Sequence, residues 1–150
     1  MRKEETIDFH IRSAWHAIAR MYNQQAAKYD ATMAIGFVLL NVDAEVGTPA
    51  TKIAPLMGLE PRSLTRILKT LEQRKAIYRE VDKTDKRSVR IFLTDEGKKA
   101  RDQSRQTVLR FNEVVREEVG VEKLASCIEV LEQVNRIVES NVFEENLIRT

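Results

Sequence analysis

Apolar residues recur at intervals of three and four along most of the chain, and at intervals of two in one short stretch past its middle. Ile7, Ile11, Ala14, Ile18, Met21 and Ala26 predict an amphipathic helix over residues 6–29. A second helix is expected over residues 31–44, with Asp30 as N-cap and Ile35, Val38, Leu39 and Val42 on one face. Gly47 and Pro49 break the pattern. In TKIAPLMGL a short helix should begin near Thr51, because a proline held in its first turn escapes the interior penalty of about 3 kcal/mol. Ile53, Leu56 and Met57 would pack this helix on the next, with Gly58 giving the tight turn between them. The following segment, PRSLTRILKTLEQR, starts with a proline suited to the first helical position and sets Leu64, Ile67, Leu68 and Leu71 on one face.

The period then changes to two. IYREVD and VRIFLT read as strands, with Ile77 and Val81, then Val89, Ile91 and Leu93, alternating with polar positions. The charged turn KTDKRS lies between them. Thr94 caps the next helix, and Asp95 and Glu96 suit its dipole. The helical period continues to about Val142, interrupted at Gly120. The class is mainly α (α+β): helix, helix, short helix, helix, hairpin, long helix, helix. The last two helices carry stripes of Val108, Phe111, Val115 and Val119, then Leu124, Ile128, Leu131, Val138 and Val142. Such stripes need cover, and the central domain is too small to supply it. A partner subunit is the natural cover.

Composition narrows the setting. A chain of 150 residues with one cysteine forms no internal disulfide, as expected for a reducing cytoplasm. Cys127 sits beside Ile128 in an apolar stripe, where it reads as a small hydrophobe. The start, MRKEETIDFHIRS, has no signal-like apolar core, and no run of about 18 apolar residues occurs, so a soluble cytoplasmic protein without a membrane anchor is expected. The net charge of +2 conceals an uneven distribution. Residues 50–105 hold fifteen Lys or Arg against eight Asp or Glu, whereas the remainder holds ten against fifteen. A basic middle between acidic ends is a local anion-binding surface.

The helix after Gly58 concentrates that charge. Opposite its leucines lie Arg62, Arg66, Lys69 and Gln73, with Ser63, Thr65 and Thr70 alongside and no acid at the centre. Guanidinium groups that can meet guanine edges or phosphates, beside short hydroxyls that fit a groove, favour DNA contact over a merely solvated face. Lys83, Asp85, Lys86 and Arg87 form the hairpin turn. Asp85 is expected to orient Arg87 by a charge-assisted hydrogen bond, so that Arg87 could enter a minor groove.

Residues 53–98 resemble the MarR family of bacterial and archaeal transcriptional regulators. Asp85-Lys86-Arg87 matches its D-x-R wing, and Leu93-Thr94-Asp95-Glu96-Gly97 its following LT-x-x-G. Thr65, Arg66, Leu71, Glu72, Ile77 and Arg79 match its recognition-helix pattern. Lys75 and Ala76 depart from the usual Gly-Leu, so the recognition helix must end without an easy left-handed glycine. The resemblance implies a winged helix-turn-helix part over residues 31–100 and a helical dimerisation part formed by residues 1–29 and 101–150. It implies a homodimer on a pseudo-palindromic double-stranded operator, acting as a repressor released by a small aromatic or phenolic effector. Trp15, Phe37 and Phe111 are candidates to line the effector crevice. His10 and His16 are six residues apart and share no helix face, so no metal site is expected, and no cofactor. No motif of an enzyme occurs. The alternative that remains is a winged-helix interaction module whose basic face binds an acidic protein.

Overall fold

In the computed structural model, which describes residues 1–140, the chain forms two compact units, Met1–Val108 and a second beginning at Leu109. The first unit opens with a single 3₁₀ turn, Lys3–Glu5, followed by helices α1 (Ile7–Ala27) and α2 (Met33–Leu40). Next come strand β1 (Thr48–Pro49) and helices α3 (Ala50–Met57) and α4 (Pro61–Gln73). A hairpin of β2 (Ile77–Val81) and β3 (Val89–Leu93) leads into α5 (Asp95–Val119), inside which the unit boundary falls. Helix α6 (Val121–Glu139) lies wholly in the second unit. The architecture is mainly helical with a small antiparallel sheet.

The core of the first unit is the meeting of the apolar faces the sequence displays. Val38, Leu39 and Val42 from the α2 region, Ile53 from α3, Leu64, Leu68 and Leu71 from α4, and Ile77, Ile91 and Leu93 from the hairpin are all buried together. The sheet has the order β1-β3-β2, so β3 is central. Thr48 faces Ile91 across one pairing, and Ile77 faces Leu93 across the other. Strand β1 is absent from the sequence reading, which finds only the hairpin.

Several expectations are corrected. Asp30 does not cap α2. It stands in a left-handed turn at φ 55°, and the Thr32 hydroxyl takes the capping role by accepting from the Ile35 N–H at 3.3 Å. The helix accordingly runs over Met33–Leu40 and not over residues 31–44, although Val42 stays buried beyond its end. Pro55 is in the second turn of α3, not the first, because the helix already begins at Ala50. The loss is confined to one backbone bond in a helix of eight residues. Leu56 points away from the core and is 66% exposed, leaving Ile53 and Met57 to make the α3 packing. Val81 and Val89 form the last rung of the hairpin but lie beyond the core, and both are exposed.

In the second unit the left-handed Gly120, at φ 89°, separates α5 from α6 as its position in the sequence suggests. Leu124 and Val134 of α6 are half-buried, but most of its apolar residues find no cover within the unit. Val121, Ile128, Leu131 and Val138 remain exposed, as does Cys127 beside Ile128 in the same apolar stripe. Val142 lies outside the described residues.

Candidate nucleic-acid interface

Helix α4 separates its two faces cleanly. Leu64, Leu68 and Leu71 are at most 5% exposed, and Arg62, Ser63, Thr65, Arg66 and Lys69 are exposed on the other side. Thr70 is half-buried at the margin. The hydroxyls of Thr65 and Thr70 donate back to the Pro61 and Arg66 carbonyls, at 2.9 and 3.2 Å, so toward any ligand they present acceptor lone pairs. Pro61 occupies the first helical position, where its missing N–H costs nothing.

The end of α4 explains how the chain dispenses with glycine. Lys75 itself adopts the left-handed conformation, at φ 55°. Its N–H donates to the Glu72 carbonyl and the Ala76 N–H to the Leu71 carbonyl, both at 2.9 Å, which closes a Schellman cap around a lysine. The next helix fastens this turn. The Thr94 hydroxyl donates to the Lys75 carbonyl and accepts from the Gly97 N–H, and the Thr94 N–H reaches the Ala76 carbonyl at 3.0 Å. A Cβ on Gly97 would collide with that same Ala76 oxygen, so the LT-x-x-G pattern is the price of close approach between the end of α4 and the start of α5.

Four cations of the basic segment are used internally: Arg79 pairs with Glu72 at 2.9 Å, Arg90 with Asp82 at 2.9 Å and Lys99 with Glu96 at 3.1 Å, and Arg74 donates to the Asp30 carbonyl at 2.6 Å. Among the described residues, Arg62, Arg66 and Lys69 on α4 and Lys83, Lys86 and Arg87 on the hairpin turn have no acidic partner. Each keeps its charge available. The expected tie between Asp85 and the Arg87 guanidinium is replaced by a backbone contact: the Asp85 carboxylate accepts from the Arg87 N–H at 3.0 Å. The turn is organised instead by Asp82, which sequence reasoning counted only as one acid among eight. Its one legible signal is the spacing Asp82-x-Thr84 at a strand end, a side-chain turn signature.

A cavity of about 220 Å³ opens within the first unit. Tyr22, Phe37, Leu71, Arg74 and Ser104 are among its walls, so the last turn of α4 borders it directly. Phe37 meets Tyr22 edge-on, with centroids 5.6 Å apart. Burial pushes the Tyr22 phenol further above its ordinary pKa, which keeps it neutral. Of the expected crevice residues only Phe37 lines this cavity. Trp15 and Phe111 do not, and Trp15 is 49% exposed on α1.

The model of the MarR family matches residues 32–89, the span from the α2 cap to the first residue of β3. Over those residues the chain is similar to the MarR family. The HTH-type transcriptional regulator TtmR of Methylorubrum extorquens is 36% identical over 90 residues, covering 60% of this chain and 46% of that protein. The chain's matches span about half the length of the curated relatives, TtmR and a Bacillus subtilis regulator, YwaE. Among solved structures, the repressor CouR bound to a 23-mer DNA duplex is 25% identical with a TM-score of 0.77, over 89% of this chain and 94% of that one. The MepR–DNA complex of Staphylococcus aureus is 21% identical with a TM-score of 0.78, over 89% and 98%. CouR from Rhodococcus jostii has also been solved with p-coumaroyl-CoA, at 18% identity and a TM-score of 0.74, over 92% and 94%. The chain thus has the winged-helix fold of proteins seen both on DNA and with a small ligand. Among its described residues no helix is long and apolar enough to cross a membrane.

Proposed function

We propose that the chain is a sequence-specific, double-stranded-DNA-binding transcriptional regulator. It acts as a homodimeric repressor released by a small effector, and not as an enzyme. The observation that carries this reading is the set of six unpaired cations on the outer face of α4 and the tip of the hairpin. A helix presenting Arg62, Arg66 and Lys69 suits a major groove, and a wing carrying Lys83, Lys86 and Arg87 suits the flanking backbone or minor groove. Residues 31–100 would form the DNA-reading part and residues 1–29 with 101–150 the dimerisation part. The cavity beside Phe37 and Arg74 is the candidate effector site, and it shares Phe37 with the crevice expected at Trp15, Phe37 and Phe111. An apolar lining with a phenol and a guanidinium would accept a small aromatic or phenolic compound.

A salt titration on duplex DNA tests the reading. Observed affinity should fall linearly on a double-logarithmic plot with a slope of about −5 or steeper for six phosphate contacts. Arg66→Ala should weaken binding to the preferred sequence by about 1–3 kcal/mol while leaving random-sequence binding less affected. A flat salt response, with tight binding to an acidic protein, would favour the interaction-module reading instead.

A further inference from the structure

The hairpin tip lies beyond the core of the first unit. Val81 is 62% exposed and Val89 37%, so apolar packing ends below the last rung and does not fix the angle of the turn above it. What lies at that point is a carboxylate. Asp82 is 5% exposed, the one buried charged residue among those described. Its Oδ1 accepts from the Thr84 hydroxyl at 2.6 Å, the Thr84 N–H at 2.8 Å and the Asp85 N–H at 3.2 Å. Its Oδ2 accepts from Arg90 Nε at 2.9 Å. The same guanidinium donates through Nη1 to the carbonyls of Val46 and Gly47, both at 3.1 Å. Asp82 therefore binds in two directions: outward to the turn, and through Arg90 to the loop that leads into β1 and α3. Asp85, itself tethered to Asp82, accepts from the Arg87 N–H, so a hydrogen-bonded chain runs from the buried carboxylate to the backbone of the wing arginine.

We propose that Asp82 is the positioning residue of the wing, setting where Arg87 stands relative to α4 by clamping the hairpin turn to the loop ahead of β1. The proposal rests on the DNA-binding reading and adds to it a residue that touches no DNA. A buried carboxylate whose four donors are all charged groups, amides or hydroxyls is rigid, because each alternative geometry leaves a donor unpaired in a low-dielectric site. Rigidity here means that Arg87 meets the duplex already placed.

The decisive feature is a sign. Asp82→Asn removes a negative charge from the basic surface, and electrostatics alone would tighten DNA binding. An asparagine cannot satisfy both sides, since its amide nitrogen must face either Arg90 Nε or the Thr84 and Asp85 donors. Loss of positioning should therefore weaken binding, by about tenfold, on the sequence the native chain selects from a randomised duplex pool. A double-mutant cycle separates positioning from general damage. Asp82→Asn should cost little in an Arg87→Ala background, because the group it positions is gone, whereas a folding defect would cost the same in both. Arg90→Lys provides a second route, keeping the charge while losing the fork that joins Asp82 to Val46 and Gly47, and should act in the same direction. Native-like or tighter binding by both Asp82→Asn and Arg90→Lys, or equal losses with and without Arg87, overturns the positioning role alone. Failure of the native chain to bind any duplex overturns the DNA reading and the positioning role with it.

Discussion

Lys75 shows how a single residue can depart from a pattern without changing what the pattern builds. The glycine usual at this place would adopt φ 55° freely, while lysine brings its Cβ toward the following carbonyl at a cost of about 1–2 kcal/mol. The turn holds because two backbone bonds and the Thr94 hydroxyl fix it from both sides. Lys75→Gly should raise unfolding free energy by about 0.5–1 kcal/mol, the left-handed strain relieved less the greater freedom of glycine when unfolded, read by urea denaturation. A lower midpoint would mean that the lysine makes a stabilising contact elsewhere. At this scale the outward cations of α4 were legible, because helical period alone assigns Arg62, Arg66 and Lys69 to one face. Asp82 was not, since its burial depends on the register of the hairpin and on a loop more than thirty residues earlier in the chain.

Among the elements, the four-turn helix α4 and the paired strands β2 and β3 were legible from periodicity, and β1 was not. Two residues, one of them Pro49, carry no period, and they are a strand only because β3 offers its free edge. The ends of α2 were misplaced for a related reason: Asp30 and Thr32 are both good caps, and packing against α1 decided between them. The wing makes a testable element in its own right. Donation from Thr84 through its hydroxyl and N–H, then from the Asp85 N–H, with Arg90 adding to these, holds the Asp82 carboxyl far below its ordinary pKa despite the opposing cost of burial. The Asp43 carboxyl in the adjoining loop is lowered likewise, by the Val46 and Glu45 N–H groups. A depressed folded pKa contributes stability above the unfolded value, about pH 4, and loses it as pH falls toward the folded one. The hairpin should therefore keep its protected Thr84 and Asp85 amides through mild acid, and stability should decline below about pH 4. In Asp82→Asn that decline should be shallower. An equally steep decline in the variant would assign the acid sensitivity to other carboxylates.

For the whole molecule the unfinished feature is the cover of its apolar helices. Within the first unit Ile7, Ile11 and Trp15 recur every fourth residue along α1 and stay exposed, and within the second Ile128, Leu131 and Val138, spaced three and seven apart, stay exposed along α6. A homodimer covering them should bury more than roughly 2,000 Å² and behave as an obligate pair. Two reading heads fixed by one dimer impose a helical phase, so half-site centres should lie about 10–10.5 bp apart, and inserting about half a turn between them should abolish specific binding. Light scattering that gives a monomer at micromolar concentration, or unchanged affinity for the half-turn insertion, contradicts this assembly. Trp15 adds an optical consequence. It is the chain's one tryptophan, and it stands half in water on the uncovered face of α1. Its emission therefore registers whether that face is wet or covered: dilution that parts two chains shifts the indole fluorescence toward longer wavelength, and the protein carries its own dye for self-association.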